Sequence, residues 1–319
     1  MIERKRITIV TPCYNEELNV RELHRRMRAV MDQLPQYKYH HIFIDNSSHD
    51  GTVAVLRDMA AEFPEVSVIV NARNFGHLRS PMHAFLEADG DAVGFICADL
   101  QEPPELFTEL IARWEQGFPI VAAIKTSSEE SGVMYRIRTA YYNLVGRLTD
   151  VQVLSHFTGF GLYDRSVADI LRQRFCDPYP YFRGMIAEMG FPQATVTYTQ
   201  ARRERGITKN NFYTLYDLAM LGITNLSKVP LRLVTAAGFI SAAISLVLGF
   251  FYFIYKLVFW NSFSLGVAPL VLGLFFLGSV QLLCLGIIGE YVGSIHTFVQ
   301  NRPLVIEKER INFPGQQSS

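Results

Sequence analysis

Asp99 and Gln101 carry oxygen atoms of the kind that bind divalent cations. They follow a short apolar run at 93–96, and a pair of prolines after them ends the strand and starts a helix. Carboxylate and amide oxygens are hard ligands, which Mg²⁺ or Mn²⁺ uses beside a phosphate. The spacing therefore predicts a metal site, although a simple strand end with Asp99 as a backbone cap would show the same residues.

Polar side chains also follow two earlier apolar runs. Tyr14, Asn15 and Glu16 come after the first, and Asp45 and Asn46 come after the second. In an open α/β sheet the carboxyl ends of parallel strands meet at one edge, where ligands bind. We expect a nucleotide site there, with an acid for ribose or base and a metal for the diphosphate. The chain has neither GxGxxG nor a P-loop motif, which argues against those two phosphate sites.

Strands that alternate with helices must position these residues. Apolar runs predict strands at 7–10, 41–45, 66–70, 93–96 and 119–123. Asn15 is expected to cap the first helix, with Glu16 in its first turn, where the helix dipole favours an acid. The alternation predicts an α/β fold with a doubly wound, mostly parallel sheet.

Two long uncharged segments follow this α/β part. Residues 233–255 would form a helix about 34 Å long, enough to cross a membrane, and a second span fits 268–288. Lysines and arginines lie outside both spans on one side, so the α/β part is expected in the cytoplasm. Residues 211–227 have the pattern of an amphipathic interface helix. Because the chain has 30 basic and 30 acidic residues, nothing indicates a nucleic-acid binder.

Several motifs resemble those of inverting family-2 glycosyltransferases with the GT-A (Rossmann-like) fold. They are TPCYNEE at 11–17, Asp45 with DGT at 50–52, NFG at 74–76, ADLQEPPE at 98–105, TGFGLYDR at 158–165, PYFRG at 180–184, RERGITK at 203–209 and GIIGEYVG at 286–293. Together they are most similar to the polyprenyl-phosphate glycosyltransferases, which include dolichol-phosphate mannose synthases and bactoprenol glucosyltransferases.

The resemblance covers nearly the whole chain and implies four parts. Residues 1–209 would form a cytoplasmic GT-A domain, 210–230 a juxtamembrane amphipathic helix, 231–296 two transmembrane helices, and 297–319 a cytoplasmic tail. It also implies a multi-pass protein of the bacterial inner (plasma) membrane, as a homotetramer.

The resemblance assigns roles to individual residues. Asp99 and Gln101 would hold the metal, and Asp99, Arg203 and Lys209 would act in catalysis. The nucleotide-sugar site would comprise Pro12, Tyr14, Asn15, Glu16, Asp45, Asn46, Asn74 and Asp99. Arg183, Arg203 and Lys209 would hold the acceptor phosphate, since arginine pairs with phosphate bidentately. A juxtamembrane patch for anionic lipid fits Arg203 and Lys209 as well, and a structural role fits Arg183.

Two residues depart from the family pattern. Cys97 stands where an Asp-x-Asp motif would begin, and Asn46 stands where a second acid is usual. Both changes remove negative charge, so we expect altered donor or metal handling. An acid near Gly159 serves as a candidate base in related enzymes; here Asp164, and more weakly Asp150, are the remaining candidates. A phosphate acceptor is already a nucleophile and does not require a base.

The expected reaction is inverting transfer of a sugar from a UDP-sugar to polyprenyl (undecaprenyl) phosphate, with Mg²⁺ or Mn²⁺, for cell-surface glycan modification. Glucose is the first expectation, and galactose, an N-acetylhexosamine, a uronic acid and aminoarabinose stay open. Two alternatives are a processive polysaccharide synthase and a membrane sensor of nucleotide-sugar or lipid that has lost catalysis. The absence of a QxxRW-type motif argues against the first, and Cys97 and Asn46 support the second.

Overall fold

The computed structural model describes residues 4–127, 154, 156–175, 177–200, 220, 227–259 and 267–313. Its strands are β1 (Arg6–Cys13), β2 (Lys38–Asp45), β3 (Val66–Asn71), β4 (Ala92–Phe95), β5 (Ile120–Ser127), β6 (Phe157–Asp164), β7 (Gln193–Thr199) and β8 (Glu307–Ile311). Its helices are α1 (Val20–Asp32), α2 (Thr52–Glu62), α3 (Gly76–Glu87), α4 (Phe107–Glu115), α5 (Arg165–Arg174), α6 (Phe182–Glu188), α7 (Val229–Val258) and α8 (Val267–Gln300). All five strands predicted from the apolar runs are confirmed.

The strands form one sheet in the order β7-β5-β6-β4-β1-β2-β3-β8. Strands β3, β2, β1 and β4 are parallel neighbours, whereas β6 runs antiparallel to β4 and β8 antiparallel to β3. The α/β fold with a mostly parallel sheet is therefore confirmed. The carboxyl ends of β1 to β4 lie at one edge, which we call the site edge.

Apolar helix faces cover both sides of the sheet. On one side α1 buries Leu23, Met27 and Val30 at helical spacing, and α2 and α4 pack beside it. On the other side Met82 and Phe85 of α3 pack in a second core with residues of α5 and α6. Burial on both sheet faces explains why the central strands read as continuous apolar runs.

The first helix begins later than expected. Asn15 has a left-handed backbone with φ of 57°, and α1 starts only at Val20, after Asn19. The carbonyl oxygen of Glu16 accepts the backbone N–H groups of Asn19 and Val20, at 2.9 and 3.1 Å. The predicted cap at Asn15 is therefore wrong, because a separate turn lies between β1 and the helix.

Helices α7 and α8 contain segments that are long and apolar enough to cross a membrane, Val229–Tyr255 and Gly273–Gln300. The most apolar windows of both segments have 0% of their residues buried against the described protein. The second segment begins and ends later in the chain than the predicted 268–288. Of the predicted interface helix at 211–227, only residues 220 and 227 are described.

The chain after α8 is more than the expected tail. β8 pairs with β3 at the end of the sheet, with Glu307 opposite Asn71 and Ile311 opposite Val68. Ion pairs hold the strand in place, for example Arg310 with Glu87 at 2.8 Å. Segment 297–319 therefore contributes a strand to the α/β domain, and it enters the sheet at the site edge.

Candidate active site

A cavity of about 520 Å³ opens at the site edge. It lies among the ends of β1, β2 and β4, the start of α3, and segment 180–183. Five residues predicted for the site line it, namely Pro12, Tyr14, Asn46, Asn74 and Arg183. His77, Cys97, Thr158 and Gly159 also line it.

Asp45 supports the loops at the ends of β1 and β2. Its side chain is fully buried, and its carboxylate accepts hydrogen bonds from the backbone N–H and the hydroxyl of Ser48. The Ser48 hydroxyl oxygen in turn accepts the backbone N–H of Asn15 at 2.8 Å. Burial raises the pKa of Asp45, and the bonds from Ser48 oppose that rise. The carboxylate therefore fixes the loop beside Tyr14 from behind the cavity wall.

Asn46 joins the β2 loop to the loop after β3. Its Nδ2 donates to Oδ1 of Asn74 at 3.0 Å and to the Gly76 carbonyl oxygen at 3.1 Å. Its Oδ1 accepts from Nδ2 of Asn71 at 3.2 Å and from the Phe75 backbone N–H at 2.9 Å. This arrangement needs an amide, since a carboxylate cannot donate. The departure from a second acid at this position thus has a structural reason in this chain.

Glu16 also lies at the site edge, with a local structural contact. Its side chain is 8% exposed and accepts Nδ2 of Asn19 at 2.6 Å. Its backbone N–H donates to the Thr52 hydroxyl oxygen at 2.9 Å. These bonds hold the turn before α1 against the start of α2.

Asp99 and Gln101 lie in the turn after β4, where the metal site was predicted. Oδ1 of Asp99 accepts the backbone N–H of Gln101 at 3.2 Å, and both side chains are partly exposed. Leu100 between them has a left-handed φ of 58°. The turn thus presents a carboxylate and an amide at the same edge as the cavity.

These two residues fit a divalent cation as a partial ligand set. Among the described residues, no group of three His, Cys, Asp or Glu side chains could hold a metal ion. Magnesium sites beside phosphates commonly use one or two carboxylates and take further ligands from water and the substrate. Asp99 and Gln101 match that kind of site.

Glu102 is a site-edge residue that the sequence interpretation missed. It is 4% exposed, and its carboxylate accepts the Cys97 backbone N–H at 3.0 Å and the Thr158 hydroxyl at 2.8 Å. Burial raises the pKa of Glu102 to about 7, and the nearby charge of Asp99 adds to the rise. Glu102 thereby joins the β4 turn to β6. Its position in the ADLQEPPE motif places it next to the predicted metal ligands, but the motif does not reveal that its side chain is buried.

The Gly-rich segment at 158–164 begins beside the cavity. Thr158 and Gly159 line it, and Gly159 has φ of 105°, a conformation that L residues rarely adopt. The nearest atom to a Cβ built on Gly159 is 3.6 Å away, on Phe182. Glycine is therefore required here by the backbone conformation rather than by lack of space.

Asp164 lies away from the cavity, and the structure does not support its predicted catalytic role. Since β6 is antiparallel to β4, its last residue pairs with Ala92 at the amino end of β4. There the carboxylate caps α5 through the Ser166 backbone N–H at 2.9 Å and accepts Nε1 of Trp114 at 2.8 Å. Asp164 is a structural residue at the opposite edge of the sheet.

Arg183 is the predicted phosphate ligand that the structure describes. Its guanidinium donates to the Phe157 carbonyl oxygen at 3.1 Å and lies over the Tyr181 ring at 5.5 Å. It therefore has a structural contact as well as a place in the cavity wall. Arg203, Lys209 and Asp150 lie outside the described residues.

Comparison with known proteins defines the class. The model of the glycosyl transferase family 2 matches residues 8–171, which contain most of β1, all of β2 to β6 and the turn with Asp99. The chain belongs to this family and is a glycosyltransferase with a GT-A-like α/β domain, as the motifs indicated.

Several relatives within this family are similar to the chain over nearly its whole length. The chain is 35% identical over 301 residues to an uncharacterized glycosyltransferase, YkcC, of Bacillus subtilis, covering 94% of this chain and 92% of the relative. It is 32% identical over 306 residues to the SfII prophage-derived bactoprenol glucosyl transferase of Shigella flexneri, covering 95% and 98%. A bactoprenol glucosyl transferase of Shigella phage SfX is 30% identical, with 96% and 99% covered. These matches include the apolar helices as well as the α/β domain.

Proposed function

We propose that this enzyme transfers glucose from UDP-glucose to undecaprenyl phosphate at the cytoplasmic face of the bacterial inner membrane. The observation that carries the proposal is the full-length similarity to proteins named bactoprenol glucosyl transferase, at 32% identity over 95% of this chain. A lipid-linked sugar made this way would serve modification of cell-surface glycans.

The position of β8 supports a site that faces the membrane. β8 enters the sheet beside Asn71, the last residue of β3, and the apolar helix α8 ends at Gln300, shortly before it. The Ala72 backbone N–H also donates to the Ile306 carbonyl oxygen at 2.9 Å, which fixes the connecting chain at that edge. A lipid phosphate at the membrane surface would then have a short path to the cavity.

The residues of the site divide between donor and acceptor. Pro12 and Tyr14 line the cavity and would contact the nucleoside, while Asp45, Asn15 and Glu16 hold the loops that carry them. Asn46 and Asn74 would hold the next loop against the donor. Asp99 and Gln101 would bind Mg²⁺ or Mn²⁺, which when bound would supply positive charge to the diphosphate.

The acceptor can react without a protein base. A phosphate oxygen of the lipid is already anionic near neutral pH, so its in-line attack on the anomeric carbon needs orientation rather than deprotonation. Arg183 at the cavity wall would orient that phosphate, with Arg203 and Lys209 as further proposed cations. Attack from the face opposite the diphosphate inverts the anomeric configuration.

Turnover by the purified full-length protein tests the proposal. A panel of UDP-sugars is incubated with undecaprenyl phosphate and Mg²⁺, Mn²⁺ or EDTA, beside Asp99→Ala and the matched control Asp164→Ala. We expect lipid-linked glucose that requires the cation and Asp99 but not Asp164. If another UDP-sugar gave product and UDP-glucose did not, that UDP-sugar would be the donor in place of UDP-glucose. UDP-glucose binding without product from any donor would contradict the transferase and favour the sensor.

A further inference from the structure

Two arginines lie against one aromatic ring beside the cavity. The guanidinium carbon of Arg73 is 4.0 Å from the centroid of the Phe75 ring, and that of Arg79 is 5.4 Å from it. Phe75 itself is 7% exposed, so the two cations cover a ring that belongs to the protein interior. Their neighbours Asn74 and Leu78 line the cavity, which places the pair at its rim.

A third arginine joins this pair from the chain that follows the second apolar helix. Arg302 comes two residues after the end of α8, and the guanidinium of Arg79 donates to the carbonyl oxygen of the adjacent Pro303. Burial lowers the pKa of Arg79, and the charges of Arg73 and Arg302 lower it further. We call Arg73, Arg79 and Arg302 the rim arginines.

The rim arginines differ from several other arginines of the domain, which pair with carboxylates. Arg26 pairs with Glu105 at 2.6 Å and Arg57 with Glu309 at 2.5 Å, whereas no carboxylate of the described residues forms an ion pair with a rim arginine. The Nε atom of Arg79 is also buried without a hydrogen-bond partner. Since a buried donor without a partner is costly, three neighbouring cations and this N–H favour an anionic ligand.

The position of the rim arginines suggests the source of that anion. The apolar segment Gly273–Gln300 ends two residues before Arg302, whose side chain is exposed. Cationic residues directly beyond a membrane span lie at the depth of lipid headgroups and attract anionic ones. Tyr179, which is 37% exposed, lies close enough to Arg79 to affect its pKa, and tyrosine is common at that depth.

We infer that Arg73, Arg79 and Arg302 form a binding site for the phosphate group of a membrane lipid at the rim of the cavity. Guanidinium groups bind phosphate oxygens bidentately, and three of them can surround one headgroup. Two lipids carry this chemistry, an anionic phospholipid and the polyprenyl phosphate acceptor. The second source rests on the proposed function, and the first does not.

Binding in the absence of donor sugar tests the inference separately from catalysis. The full-length protein in a neutral detergent is titrated with phosphatidylglycerol and with farnesyl phosphate, a short polyprenyl phosphate, and bound lipid is measured by native mass spectrometry. Diacylglycerol and farnesol are the matched lipids without phosphate. The Arg79→Gln/Arg302→Gln double variant is compared with Arg25→Gln/Arg113→Gln, which removes two exposed arginines on α1 and α4.

We expect the rim double variant to bind lipid phosphate about tenfold more weakly, and the control pair to bind as the wild type does. Loss for farnesyl phosphate alone would identify the acceptor as the ligand, and loss for phosphatidylglycerol would identify the phospholipid. Arg302→Gln alone, at an exposed position, should weaken binding severalfold even if the double variant folds poorly. Unchanged affinity of Arg302→Gln, or equal binding of lipids with and without phosphate, would overturn the inference.

Discussion

Asp99 comes after one strand of the sheet and Asp164 is the last residue of another, yet the two acids lie at opposite edges of the sheet. Asp99 follows β4, and β4 runs in the same direction as β1, β2 and β3. Asp99 therefore lies with the polar residues at the site edge. Asp164 ends β6, which runs the other way, and it caps a helix there. Two acids that each stand at or just after the end of a strand thus have different surroundings, because strand direction decides which edge a strand end reaches.

The two edges also differ in what their hydrogen bonds do. At the site edge, Asp45 and Asn46 connect loops that follow separate strands and that border the cavity. At the opposite edge, Asp164 joins a helix start to the Trp114 ring. We therefore expect substitutions of the partly exposed Asp99 at the site edge to affect activity, whereas substitutions of the buried loop residues there and of Asp164 at the opposite edge should affect stability.

The largest expected effect is that of Asp99→Ala on turnover. Loss of the carboxylate proposed to bind the cation should lower kcat about 100-fold or more, since charges positioned at a leaving group commonly contribute that much. Steady-state turnover of UDP-glucose with undecaprenyl phosphate measures it. The unfolding midpoint should stay near that of the wild type, because the side chain is partly exposed. A kcat within fivefold of wild type would contradict a catalytic role for Asp99.

Asn46→Asp should destabilise the site edge by about 2 kcal/mol. The new carboxylate cannot donate to Asn74 or Gly76, and it would face two oxygen acceptors in a position that is 7% exposed. Urea unfolding in detergent measures the change, with Asn74→Asp at an exposed position as the control. A variant as stable as wild type would show that the family's usual acid fits here without rearrangement.

Much of this arrangement could be predicted from local sequence. The apolar runs identified the central strands, and the residues after them identified the site edge. The charged sequence of β8, EKERI, has no apolar alternation, which suits the edge of a sheet and hides the strand. The direction of β6 and the burial of Glu102 depend on pairing between distant segments, which the order of residues along the chain does not show.

Asp164→Ala should cost about 1–2 kcal/mol of stability and leave kcat near the wild-type value. The substitution removes an N-cap, worth about 1 kcal/mol, and leaves Nε1 of Trp114 without its carboxylate acceptor. Asp164→Asn keeps an oxygen that can cap the helix, so it should recover part of the loss. A large fall in kcat with unchanged stability would restore the catalytic role that we no longer propose.

The effect that is smallest at neutral pH comes from a buried histidine pair away from the site edge. Nδ1 of His24 on α1 lies 3.1 Å from Nδ1 of His41 on β2, and the two side chains are 2% and 0% exposed. His41 lies on β2 opposite Val66, the first residue of β3, and thus away from the carboxyl ends of these strands at the site edge. Tyr39 and Thr11 complete its hydrogen bonds at 2.8 and 2.9 Å.

Burial lowers the pKa of His24 to about 4, although the charge of Glu65 opposes the shift. Burial also lowers the pKa of His41, and the charge of a protonated His24 lowers it further. Well above pH 6.5 neither the folded nor the unfolded chain protonates them, so they make no pH-dependent contribution to stability there. As the pH falls below 6.5, only the unfolded chain takes up these protons. The free energy of unfolding should then fall by about 1.4 kcal/mol per pH unit for each histidine.

His24→Gln removes one of these titrations while keeping a side chain that can hydrogen-bond to His41. Its unfolding midpoint should therefore decline less steeply than that of the wild type between pH 6.5 and 5, as measured in detergent. His49→Gln, at an exposed position near Tyr14, should keep the wild-type slope. If His24→Gln kept that slope as well, the pH sensitivity of folding would have to arise at another part of the sheet, and the division between the two edges would weaken.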